Sequence, residues 1–255
     1  MNNNGLEKWR GESISDDARA IETALARIRK GETTNAPPAR GRLIFALDLT
    51  SSRELSIAKA RVATSAMFQA IKAIGAAITV KMAYSRGREC RATDWNDDPD
   101  ALNKAMEKLC CRAGYTQIAK VLRLALTEKE PLQGIVLIGD ACEEDPEELS
   151  ELAAALGEKK VPLFVFHDHD GRDLEAVKAA GPVFREMAET SGGAHCPFGA
   201  GSAGALRELL TSVAAFSAAG VEGVTQIPQV TTPEARQLRT RLLLGPGGPD
   251  DREKR

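Results

Sequence analysis

The stretch Leu43–Glu54, LIFALDLTSSRE, changes character midway. An apolar run meets Asp48, and then Thr50, Ser51 and Ser52 follow in close succession. A buried strand that ends this way can gather oxygen atoms around a hard cation, cap a helix, or bind a phosphate. Asp48, Thr50 and Ser52 alternate along the turn, so their side chains can converge. Ser51 points elsewhere and suits the cap of a helix that begins near Arg53.

Outward from that turn, short apolar runs alternate with helical patterns. RELSIAKARVATSAMFQAIKAIG (Arg53–Gly75) predicts a long helix, AITVKMAYS a strand, and ECRATDW a shorter strand. DPDALNKAMEKL and DPEELSELAAALGEKK predict helices with Pro99 and Pro146 in their first turns. TQIAKVLRLALTEKE predicts another helix, while GIVLIGD, VPLFVFHD and AHCPF read as strands. LEAVKAAGPVFREMAETSGG predicts a helix broken around Gly181-Pro182, and SAGALRELLTSVAAFSAAG the last helix of the domain. Strands of about five residues alternating with helices imply an α/β fold: a doubly wound, mostly parallel six-stranded sheet with helices on both faces.

The flanks differ. Residues 1–40 predict a helix from Ser15, with Asp16 and Asp17 at its positive end, and then a linker with Pro37-Pro38. The domain runs over 41–220. Residues 221–255 predict an extended VEGVTQIPQV, a helix in TTPEARQLRTRLLLG capped by Thr232, and a disordered tail. The terminal helices read as packing elements over the sheet's edges or as partner-docking elements, the LRTRLLL stretch above all.

Composition narrows the function. Lys+Arg is 34, Asp+Glu is 36, and aromatic residues make up 4%. That excludes a basic, aromatic-studded nucleic-acid surface. No segment is apolar for the ~20 residues a membrane span needs. The N-terminus lacks the apolar core of an export signal, and the five cysteines form no CxxC pair. Reduced thiols in a cytoplasm are the simpler expectation.

In an open parallel sheet, ligands bind outside the carboxyl ends of the strands. The residues found there are Asp48, Thr50 and Ser52 after the first strand, Asp140 after GIVLIG, and HDHD (His167–Asp170) after VPLFVF. Thr116 opens a helix after CCRAGY. Asp48, Thr50, Ser52, Thr116 and Asp140 are hard oxygen donors of the kind that suit Mg²⁺. Mn²⁺ suits the same donors, as does Ca²⁺. Two His and two Asp in HDHD can ligate zinc or iron, but their spacing supplies no full site alone.

These residues resemble the von Willebrand factor type A (VWA) family and its metal-ion-dependent adhesion site. The family's Asp-x-Ser-x-Ser is similar to Asp48-Leu49-Thr50-Ser51-Ser52, with Thr replacing the first Ser. Its loop Thr corresponds to Thr116 in AGYT, and its strand-end Asp to Asp140 in IGD. FREMAETSGGAHC is similar to a pattern before the family's last strand. Tyr115 stands where Gly is common, and Ala141 where Gly usually follows the Asp. The resemblance implies a non-enzymatic, protein-binding adaptor of the intracellular bacterial type. Its cation would take an Asp or Glu from a partner protein, and such members often work beside MoxR-type AAA+ ATPases. Tyr115, Glu143, Glu144, His167 and Asp168 are the expected partner-contacting residues around that site. Two alternatives come from other classes. One is a metal-dependent phosphatase, although Thr50 stands where a second Asp would be needed. The other is a metal-free structural scaffold.

Overall fold

Burial alternates along the strands and sets the layers. In the first strand, β1 (Gly41–Asp48), Leu43, Phe45 and Leu47 join one core, whereas Ile44 and Ala46 join another. The same parity recurs in the strand Gly134–Gly139, where Val136 and Ile138 oppose Ile135 and Leu137. It recurs again in Leu163–Asp168, where Phe164 and Phe166 oppose Leu163 and Val165. A strand with apolar residues on both faces must lie inside a sheet covered on both sides.

The computed structural model describes residues 41–50, 61, 64–65, 78–171, 173–199 and 203–244. After β1 come β2 (Ile78–Arg86), β3 (Glu89–Ala92), α1 (Pro99–Glu107) and α2 (Ile118–Thr127). The remaining elements are β4 (Gly134–Gly139), α3 (Pro146–Glu158), β5 (Leu163–Asp168), α4 (Leu174–Thr190), β6 (Ala194–Phe198), α5 (Ala203–Gln226) and α6 (Pro233–Leu244). The sheet has six strands in the order β3-β2-β1-β4-β5-β6, and only the β2–β3 pair is antiparallel. From β1 the chain moves to β2 on one side and later to β4 on the other. The order therefore reverses between β1 and β4, the place where open α/β sheets bind ligands.

Helices α1, α5 and α6 bury Leu102, Met106, Leu209, Val213, Leu238 and Leu242 on one face. Helices α2, α3 and α4 bury Leu122, Ala153, Leu156, Phe184 and Met187 on the other. Asp98, Asp145 and Asp173 each cap a helix by accepting from backbone N–H groups of the first turn.

Three expectations are corrected. Helix α4 runs unbroken through Pro182. Ala180, Phe184, Met187 and Ala188 all lie in the core, and that packing outweighs the hydrogen bond proline removes. Residues Val221–Gln226 are helical rather than extended, resuming after Ala219 (φ -145) and Gly220 (φ 59). Val224 is buried there, so tertiary packing sets the local conformation. Helix α2 begins at Ile118 rather than Thr116. The expected helix in residues 15–30 and the expected tail after residue 245 lie outside the described residues. So does the Arg53–Gly75 helix, apart from Arg61, Thr64 and Ser65, which are helical.

Candidate metal centre

Asp48 is the last residue of β1, opposite Ser85 of β2. By parity it faces the α2–α3–α4 side. Its Oδ1 accepts from the Thr50 N–H and its Oδ2 from the Thr50 hydroxyl, both at 3.1 Å. The turn thus folds back on the carboxylate and holds the Thr50 oxygen beside it. On the neighbouring strand, a Cβ at Gly139 would lie 3.8 Å from the Cβ of Asp48. Asp140 follows at once. Asp48, Thr50, Thr116 and Asp140 are all buried, at 3%, 6%, 4% and 1% exposure. Gly171 closes over Asp140, because a Cβ there would meet its Oδ2 at 2.6 Å. Ser52 lies outside the described residues.

Thr116 is tied to the loop after β4. Its N–H donates to Glu143 Oε2 at 3.0 Å, and the Glu143 N–H donates to the Thr116 hydroxyl at 3.2 Å. Glu144 accepts from the N–H groups of Ile118 and Ala119, the latter at 2.9 Å. Gln117, the residue at the cap position, makes no side-chain cap bond, so a carboxylate from another loop stabilises the start of α2. Sequence reasoning missed this role because the donors lie 25 and 26 residues away.

Further ties bring the loops together. The Arg112 N–H donates to the Leu49 carbonyl at 3.0 Å. Gly114 presses on the β2–β3 turn, where an added Cβ would come within 2.3 Å of the Gly87 backbone. Burial pushes the Cys142 thiol up to about 11. A hydrogen bond from the Glu144 backbone opposes the rise, and the Glu144, Glu143 and Asp48 carboxylates add to it. The loops bearing Asp48, Thr116 and Asp140 therefore meet at the sheet's switch point. Two buried carboxylates with hydroxyls nearby form a hard, oxygen-only donor set, which fits Mg²⁺ or Mn²⁺ by its chemistry.

The expected rim around this site is different from the observed one. Tyr115 is exposed, at 75%. Glu143 and Glu144 are committed to the loop ties just described. His167 and Asp168 are buried at 1% and 0%, so they offer no partner surface. They are the last two residues of β5, and the sheet covers them; the exposed position is His169.

The chain's 3 histidines cluster beside the site. His195 Nε2 lies 3.2 Å from His167 Nδ1, and the His169 ring packs edge-on to His167 at 4.6 Å. Phe184 packs edge-on against the His167 ring at 5.0 Å. Burial holds His167 down at about 4, with His169 and His195 adding to the effect and the Asp140 backbone and Asp168 opposing it. Burial, then Arg185 and His169, hold His195 down at about 4. Both rings are neutral at pH 7 and share one proton across their contact. The signal that would have found His195 is register: it pairs with Val165, which puts it on the same sheet face as His167. Among the described residues, no three His, Cys, Asp or Glu side chains form a group that could hold a metal ion. The imidazoles form a packed polar cluster.

No protein-family model matches the sequence, and no curated protein matches it. Solved structures match its fold. The VWA domain of SpRpn10 is 14% identical, with 69% of this chain and 95% of that domain covered at a TM-score of 0.50. The chain has a VWA fold. The conserved hypothetical protein BatB from Bacteroides thetaiotaomicron shares this fold at 18% identity, covering 70% of this chain and 98% of BatB, with a TM-score of 0.55. The pilus adhesin SpaC from Lactobacillus rhamnosus GG matches at 10% identity and a TM-score of 0.57, over 72% of this chain and 31% of the adhesin. At these identities the likeness to VWA structures is one of fold. No helix among the described residues is long and apolar enough to cross a membrane.

Proposed function

We propose that this VWA-fold chain is a non-enzymatic, cytoplasmic protein-binding adaptor with a divalent cation at the switch point. The supporting observation is the meeting of three sequence-distant loops, with Asp48, Thr50, Thr116 and Asp140 all buried there. Asp48, Thr50, Ser52, Thr116 and Asp140 would hold Mg²⁺, with Mn²⁺ or Ca²⁺ suiting the same donors. The bound cation would supply an electrophilic point for a carboxylate of the partner. The protein's own part is to fix the donors. The Asp48–Thr50 turn and the Thr116–Glu143 exchange hold their oxygens in place before any partner arrives. Tyr115, exposed next to Thr116, gives the partner an aromatic contact beside that point. The partner presents Asp or Glu, and a MoxR-type AAA+ ATPase is the proposed co-worker.

The test is partner capture with and without divalent ions, identified by mass spectrometry. Chelation and Asp48→Ala should both reduce capture, with Asp48→Ala still giving a cooperative melt. Unchanged capture in both arms removes the proposal. A second reading, a metal-free scaffold, draws support from the hydrogen bonds that already engage both threonine hydroxyls. Thermal melting separates the two. A cation that binds only the folded chain at 100 times its Kd adds about 2.7 kcal/mol, whereas a scaffold melts at the same temperature with or without it.

A further inference from the structure

A cleft opens on the sheet face opposite Asp48, between α1 and the β2–β3 pair. It encloses about 550 Å³, within the range of small-ligand sites. Its floor is apolar and aromatic: Met82, Tyr84, Ala105 and Leu109. Among the described residues, the charged side chains that line it are Arg86, Lys104 and Lys108, and no acidic one does. That is a local excess of positive charge on a chain whose net charge is -2.

The three cations differ in what holds them. Arg86 sits over the Tyr84 ring at 5.5 Å, bridges to Glu89 at 3.5 Å, and donates to Cys110 Sγ at 3.3 Å. It is fixed beside the floor by these contacts. Lys104 and Lys108 are exposed one helical turn apart at the end of α1, and neither forms an ion pair among the described residues. Their ammonium groups are therefore available to an incoming anion. A fixed guanidinium, two free ammonium groups and an apolar floor complement one kind of molecule: an organic anion with an apolar body and a carboxylate, sulfonate or phosphate head. The geometry points to this cleft as a binding site for such an amphipathic anion, independent of the proposed cation site.

The probe is 8-anilinonaphthalene-1-sulfonate, with the uncharged N-phenyl-1-naphthylamine as its matched control. Fluorescence titration of the full chain should give saturable one-to-one binding that weakens with salt and is about tenfold tighter for the sulfonate. Lys104→Glu with Lys108→Glu should weaken it by about tenfold or more, while Lys178→Glu on α4 leaves it unchanged. Ala105→Phe fills the floor and keeps every charge; it too should weaken binding. Circular dichroism melts confirm that each variant folds. Equal binding of the charged and uncharged probes, or sulfonate binding untouched by both cleft variants, overturns the site. A third arm separates free anions from lipid headgroups. Sedimentation with phosphatidylglycerol vesicles through Lys104 and Lys108, without saturable sulfonate binding, overturns the free-anion assignment.

Discussion

Two polar clusters sit in neighbouring parts of one sheet, and they are built from opposite materials. At the tips of β1 and β4, Asp48, Thr50 and Asp140 collect oxygen atoms, with Thr116 brought in by a neighbouring loop. Near the tip of β5, His167 meets His195 from the start of β6, and the two collect nitrogen atoms in neutral rings. The oxygen donors are buried, whereas His195 is half-buried and the two paired rings carry no charge at pH 7. The difference teaches that burial alone does not mark a binding site. Two neutral rings can share a single hydrogen bond, whereas buried carboxylates need donors or a cation.

Phe184 stands between the two clusters. Its ring packs on His167, and its ζ carbon comes 3.7 Å from where a Cβ at Gly139 would be. Phe184→Ala should therefore disturb both and cause the largest loss, about 3–5 kcal/mol by urea denaturation. A loss below about 1 kcal/mol would mean that the clusters are not joined through this ring. Glu144→Ala touches the oxygen side alone. It removes the cap from α2 and should cost about 0.5–2 kcal/mol, with Glu144→Gln recovering part of it.

The nitrogen side responds to pH. The folded His195 titrates near 4, below its ordinary value of 6.5. As pH falls from 6.5 toward 4, the unfolded chain takes up a proton that the folded one does not, so stability declines across that window and levels off below it. His195→Gln should flatten this slope in melts recorded from pH 7 to pH 4. An unchanged slope would show that the ring is not the group responsible. A smaller effect concerns Glu208, which accepts from the backbone and hydroxyl groups of both Thr231 and Thr232. Burial raises its pKa, but those four bonds outweigh it and leave the carboxyl depressed. Its contribution is present above the unfolded carboxylate value and is lost as pH falls through the folded one. Glu208→Gln should therefore weaken the acid sensitivity of α6, read by hydrogen exchange at Thr231 and Thr232.

The oxygen cluster was legible because its motif is local: Asp48 and Thr50 lie on one turn, and Thr116 and Asp140 each carry a sequence context. The six strands were legible because each is an apolar run bounded by breakers. The imidazole cluster was not, since His195 reaches His167 only through the pairing of β5 with β6. Glu143 and Glu144 read as partner-contacting acids, because nothing in CEEDPEEL reveals that Thr116 and the first turn of α2 lie opposite. Pro182 reads locally as a helix break, and the core that overrides it is assembled from distant residues.

Helix α6 has a consequence for where the chain can be cut. Ala235, Leu238 and Leu242 share one core with Val224 and with Phe198 of β6, and Glu208 ties the start of α6 to α5. Trimming the polypeptide at Gly220 would leave a greasy seam open along β6 and the first half of α5. Such a shortened form should clump rather than behave as an isolated ligand-binding fragment, so work on the cation site calls for the full C-terminal reach.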